Sequence, residues 1–255
     1  MKGAKWYMAI AATSYIVALI FTAPAGLLAE HVLQSAVPQE VLSLRRVSGT
    51  LFAGDADLFV GGNSLGRGHW HFRPLSVLRG RLDFDVVLEK AGGRLQTVAG
   101  VGLGQHVVLR DMDGNIPIAV LRELLPAQIR QQLVGGELLL QVQSAELESG
   151  RLMHLDGVAV WRNAEVGAAG NVNLGDLRLV VTTQDDGTMQ GMIQDGGGVL
   201  ECRGNLQLSA DGAYSGDISL GMRSGGPPSL GQALAMLGRP NQDGVTTMSL
   251  QGSVF

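Results

Sequence analysis

The sequence holds a single cysteine, Cys202, in 255 residues. No intrachain disulfide can form, and neither a four-thiolate zinc site nor a two-cysteine redox motif is available. Lysine is almost as scarce, since after Lys2 and Lys5 only Lys90 remains. Setting those first two aside leaves 17 of the 19 basic residues against 23 acidic ones, with the arginines dispersed along the chain. Such an acidic body lacks the basic face that phosphate neutralisation requires, which excludes nucleic-acid binding. Aromatics make up 5% and charges 16%, yet 45% of residues are hydrophobic, so the chain folds instead of remaining disordered. A body of this size can bury a core without help from metals or disulfides.

Charge is also missing from residues 6–28, which Lys2 and Lys5 precede and Glu30 follows. At about 1.5 Å per residue such a run is long enough to cross a hydrocarbon layer of about 30 Å as a helix. The two lysines orient the N-terminus toward the cytoplasm and send the rest across. Ala23-Pro24-Ala25 also has the small-x-small form of a processing site, so a cleaved signal peptide is the competing reading. Both readings deliver the body to the same compartment.

Beyond the leader, short runs alternate between apolar and polar residues, the pattern of a half-buried antiparallel strand. Arg81-Leu82-Asp83-Phe84-Asp85-Val86 is one; others centre on Leu138 to Val142, Leu177 to Leu179, Asn205 to Leu208, Ile218 to Leu220 and Met248 to Leu250. Asp113-Gly114, Asp156-Gly157, Asp186-Gly187, Asp195-Gly196, Asp211-Gly212 and Asp243-Gly244 supply turn chemistry between runs. Helix is predicted over 118–133, broken by Pro126, and over 229–237, with Ser229 as cap and Gly238 as stop. A short helical stem is expected over 34–44. Gly49-Thr50-Leu51 leading to Trp70, and Gly136-Glu137-Leu138 leading to Trp161, suggest two related β units.

The expected organisation is therefore a cytoplasmic N-terminus (1–5), a transmembrane anchor (6–28) and a membrane-proximal stem (29–46). A first β unit with a helix (47–134) and a second β unit with a helix (135–255) follow. The fold class is mainly β: an antiparallel periplasmic domain, forming a sandwich or an open groove, behind one transmembrane helix.

Chemical motifs are incomplete. His69 and His71 share a strand face but lack third and fourth metal ligands, and His31, His106 and His154 are isolated. Gly61-Gly62, Gly102-x-Gly104 and Gly196-Gly197-Gly198 precede no Lys-Ser/Thr pair, so they read as hairpin turns and not phosphate loops. No Gly-x-Ser-x-Gly occurs. Asp185-Asp186 and Asp55-x-Asp57 lack the spacing of a calcium loop and read as solvated turns, or, for Asp55 and Asp57, as charges that guard a strand edge. Arg45-Arg46 and Arg79-x-Arg81 are small basic clusters that read first as ordinary surface arginines, with docking on anionic headgroups or an acidic partner as the alternative. The closing Ser253-Val254-Phe255 resembles a barrel's last strand only superficially, because Phe255 falls on the face of Ser249 and Gln251. No catalytic, cofactor-binding or metal-binding residue is assigned, and no enzyme activity or cofactor is expected.

Val47-Ser48-Gly49-Thr50-Leu51-Phe52-Ala53-Gly54, then Leu65-Gly66 and Trp70-His71-Phe72-Arg73-Pro74-Leu75, resembles the opening signature of the type II secretion system protein N family. Phe52 stands where that family usually has tryptophan. Gly135-Gly136-Glu137-Leu138, the run from Leu155 to Trp161, Asp195-Gly196-Gly197-Gly198-Val199-Leu200 and the ending from Leu237 to Gly252 are similar to it as well. The resemblance implies a single-pass inner-membrane scaffold that acts in the periplasm on export of folded proteins through an outer-membrane secretin. Its implied partners are the secretin and inner-membrane platform proteins. The alternative is a periplasmic lipid-handling or groove-forming envelope protein, which an apolar concavity would favour and a filled sandwich would not.

Overall fold

The structure, a computed structural model, describes Pro24 and Ala25 and residues 42–102, 106–123, 125, 130–148, 151–167, 171–209 and 212–253. Most of the apolar leader, residues 29–41 of the expected stem and the last two residues lie outside that set. No described helix is long and apolar enough to cross a membrane.

The alternating runs become thirteen strands. They are β1 (Leu42–Gly49), β2 (Ala53–Val60), β3 (Asn63–Arg73), β4 (Leu82–Lys90), β5 (Gly93–Val101), β6 (His106–Pro117) and β7 (Leu133–Glu148), then β8 (Arg151–Val166), β9 (Val172–Thr183), β10 (Met189–Asp195), β11 (Leu200–Leu208), β12 (Ala213–Met222) and β13 (Thr246–Ser253). Each pairs antiparallel with its neighbour in sequence, giving one open sheet in the order β1 to β13. No second sheet lies over it among the described residues, so the sandwich expectation gives way to a single layer. The sheet passes unbroken from β6 to β7, across the division expected at 134/135. β1 begins at Leu42, so residues 42–44 of the helix expected over 34–44 are strand, and residues 34–41 lie outside the described residues.

Three short helices are described besides the strands. A 3-10 helix (Pro74–Arg79) joins β3 to β4, α1 (Ile118–Arg122) joins β6 to β7, and α2 (Pro228–Leu237) joins β12 to β13. Helix forms at Ile118–Arg122 and at Pro228–Leu237, while residues 124 and 126–129 of the first expected stretch lie outside the described residues. Pro227, not Ser229, occupies the cap position of α2, and no side chain bonds there. Pro228 at the first helical position has no N–H to satisfy, and the Leu230 amide donates to the Pro227 carbonyl at 2.9 Å.

Two Asp-Gly pairs are not turns. Asp113-Gly114 lies inside β6 and Asp156-Gly157 inside β8. Glycine serves there for close approach: a Cβ on Gly114 would stand 2.5 Å from Leu95 Cδ1, and one on Gly157 would stand 2.9 Å from the Gln141 carbonyl oxygen. Gly187 and Gly244 do turn, with φ of 81° and 76°.

Trp70 and Trp161 are each held by a neighbouring backbone carbonyl in the same manner. Trp70 Nε1 donates to the Leu51 carbonyl at 3.1 Å, and Trp161 Nε1 donates to the Gly135 carbonyl at 3.1 Å. A glycine with positive φ lies close by in each case, Gly49 at 90° and Gly136 at 104°. The deepest packing lies where α2 covers one end of the sheet, with Leu230 and Leu234 set against Leu200, Cys202, Val172 and Leu174.

Candidate interaction surfaces

The register sorts side chains into two unlike faces. One row runs from β2 to β7 as Ala56, Gly68, Leu88, Leu95, Gly114 and Leu140. It continues from β8 to β13 as Ala159, Leu179, Ile193, Gly204, Ile218 and Met248. Every member is apolar or glycine, because side chains two apart along a strand share a face and paired strands hold that face in register. Neighbouring side chains lean across the glycines, with Ile218 Cγ1 2.9 Å from where a Gly204 Cβ would sit. Away from α2 most of these positions are half-buried, as suits a face packed only by lateral neighbours.

The adjacent row belongs to the other face. From β1 to β5 it reads Arg45, Asp57, Arg67, Glu89, Arg94, an alternation of opposite charges across five strands. Opposite charges directly across a ladder stabilise it modestly. Arg46 reaches Asp57 at 2.5 Å, Arg67 pairs with Asp55, and Arg73 meets Asp85 at 2.6 Å. Hydrogen bonds from Arg67 and Ser48 hold the Asp55 carboxyl below its usual range. Asp55 and Asp57 are thus strand residues in ion pairs and not solvated turns. Arg45 lies over the Phe59 ring at 4.7 Å, which takes up one of the two arginines of that cluster. His69 and His71 are exposed on β3, and no group of three or more potential metal ligands occurs among the described residues. At mid-sheet Leu139, Val158 and Val160 line an open hollow of about 450 Å³ together with polar neighbours, among them Asp113, Gln141 and Arg162.

The outermost strands among the described residues differ as well. β1 carries Arg45 and Arg46, breaks register between Arg45 and Ser48, and holds Arg46 at a φ of 50°. Charge and a bulge are devices that keep an edge from accepting another strand. β13, Thr-Thr-Met-Ser-Leu-Gln-Gly-Ser, has no charge and pairs with β12 without a shift. The sequence shows these residues but not which strands are outermost, so the contrast is visible only in the fold.

These features of order and register run through the segment that known families share. Residues 40–249 match the profile of "Type II secretion system (T2SS), protein N". The chain belongs to the type II secretion system protein N family. A curated protein of Aeromonas hydrophila, "Type II secretion system protein N", is 26% identical over 257 residues and is aligned over the whole of both chains. No solved structure matches. Membership makes the chain a component of the type II secretion machinery. The Val47 to Leu75 signature lies within the matched residues and folds as the end of β1, the turn over 50–52, all of β2 and β3, and the first two residues of the 3-10 helix.

Proposed function

We propose that this protein is a structural scaffold of the type II secretion machinery, held in the inner membrane by residues 6–28, with its sheet in the periplasm. It acts there on the export of folded proteins through the outer-membrane secretin, and it binds the secretin or inner-membrane platform proteins without doing chemistry itself. The observation that carries this reading is the asymmetry of the edges. β13 offers eight residues of uncharged, unshifted strand, while β1 is charged and bulged. Backbone hydrogen bonds to an added strand supply affinity with little demand on side-chain identity.

The test is photo-crosslinking in cells that assemble the secretion system, with the reactive residue placed at the exposed positions Thr247, Ser249 and Gln251 of β13, and at Arg45 of β1 as a control. Adducts with other secretion components should arise from β13 and not from β1. Secretion-competent cells that yield no β13 adduct would remove the proposal.

The half-exposed apolar row favours a second reading, a lipid-handling face. Crosslinkers at Leu140 and Leu179, which sit on that row, distinguish it: lipid adducts from these positions support lipid handling, and their absence leaves the scaffold alone.

A further inference from the structure

We propose that the 3-10 helix Pro74–Arg79 and the start of β4 form a second membrane contact, a short wedge that dips into the headgroup region of the bilayer beside the anchor. The inference rests on the anchoring reading above.

The wedge is apolar where a soluble loop would be polar. Leu75 is 76% exposed, Val77 53% and Leu78 84%, and Leu82 and its cross-strand partner Val101 are exposed as well. Loops are ordinarily polar, so contiguous exposed leucines and valines mark an interaction site. The helix is firmly built. Ser76 is buried, its hydroxyl donates to the Arg73 carbonyl at 2.6 Å and accepts from the Asp83 amide at 3.0 Å, and Gly80 closes the turn at a φ of 70°. The leucines therefore project from a pinned turn and do not await a partner to order them.

The place of the wedge in the fold selects a bilayer as its occupant. Pro24, in the last part of the apolar run, bridges to Thr50. From Thr50 the chain reaches Phe52, whose carbonyl accepts from the Phe72 amide at 2.6 Å, and Pro74 follows two residues later. The anchor thus meets the sheet at the end that carries the wedge. If the part of the 6–28 anchor that precedes Pro24 spans the membrane as a helix, it extends about 27 Å, close to the thickness of the apolar layer, which puts Pro24 and with it Thr50 at the surface. Arg81 is exposed directly after the turn, where a guanidinium meets anionic headgroups while the leucines enter the acyl boundary. The exposed apolar residues of α2, Met236 at 87% and Leu237 at 51%, lie at the opposite end, beyond the length of the strands.

The experiment uses the full chain in vesicles of phosphatidylethanolamine and phosphatidylglycerol. Leu78→Cys, Leu75→Cys and Met236→Cys are each labelled with an environment-sensitive fluorophore. The buried Cys202 stays in place. The labels at 75 and 78 should shift to the blue and be quenched by lipids spin-labelled near the headgroup, while the label at 236 does neither. A blue shift without lipid quenching means that protein covers the wedge, and an aqueous label means that nothing does; either overturns the inference. Equal quenching at 236 overturns it too. Flotation and resistance to carbonate extraction are read on the same samples. A floated, carbonate-resistant protein with an aqueous label refutes the wedge alone, and a protein that carbonate removes refutes the anchor and the wedge with it.

Discussion

Arg223 Nη2 lies 2.6 Å from Asp195 Oδ1, and the same guanidinium donates to the carbonyls of Gly198 and Leu200 at 2.9 and 3.0 Å. One side chain at the end of β12 thereby fastens the glycine loop between β10 and β11. Burial pushes the Asp195 carboxyl up, but hydrogen bonds from the Cys202 amide, Arg223 and the Gly197 amide, with the Arg223 charge, bring it below the ordinary range. A depressed folded value contributes stability that is present above the unfolded value of about 3.9 and is lost as pH falls through the folded one. Arg223→Met is expected to cost on the order of 1–3 kcal/mol at neutral pH. Denaturant titrations between neutral and acid pH should show a lower midpoint and a weaker acid dependence than the parent. An unchanged acid limb would mean that this carboxylate carries no such linkage.

Gly136 has a φ of 104°, and a Cβ there would lie 2.6 Å from both the Arg162 carbonyl oxygen and Trp161 Nε1. Gly136→Ala should destabilise by about 1–3 kcal/mol through strain in the left-handed region and the displaced indole. Tryptophan emission should move to the red as the indole leaves the Gly135 carbonyl. Retention of both the emission maximum and the denaturation midpoint would contradict the placement of that ring.

Cys202 is buried, and burial, with the negative Asp195 nearby, pushes its thiol up from the ordinary value. The thiol stays protonated at neutral pH and is a poor nucleophile. A maleimide should label it slowly in the native protein and quickly after denaturation. Equal rates in the two states would place the thiol at the surface.

Thr247→Lys with Gln251→Lys puts two charges on the outermost strand, the device by which edges are ordinarily closed. Both positions are exposed, so stability should change by less than about 1 kcal/mol. Secretion of an exported substrate should fall while the protein remains folded, as judged by its denaturation midpoint. Full secretion with both lysines in place would show that this edge is not used.

The strands were legible because alternation depends only on which residues face solvent, and Arg81 to Val86 or Asn205 to Leu208 needs no knowledge of its partner. Turn chemistry was less informative. Asp-Gly marks a tight reversal at Asp186 and Asp243, but at Asp113 and Asp156 the same pair sits mid-strand, where a missing Cβ makes room for a neighbouring chain. Dipeptides do not carry that distinction; it depends on what stands across the ladder. The apolar row, the alternating charges from Arg45 to Arg94 and the contrast between the edges all follow from register, which no single segment encodes. The wedge was half visible. Arg79-x-Arg81 stood out as a basic cluster, but the exposure of Leu75 and Leu78 follows from Ser76 taking the inward position of the turn.

Because every strand binds the one made just before it, the sheet can assemble while the chain is still emerging into its compartment. Each new hairpin finds its template already present, and no late segment must return to close an early gap. The same arithmetic applies over evolutionary time: hairpins gained or lost at the far end would lengthen or shorten the platform without disturbing the part already laid down.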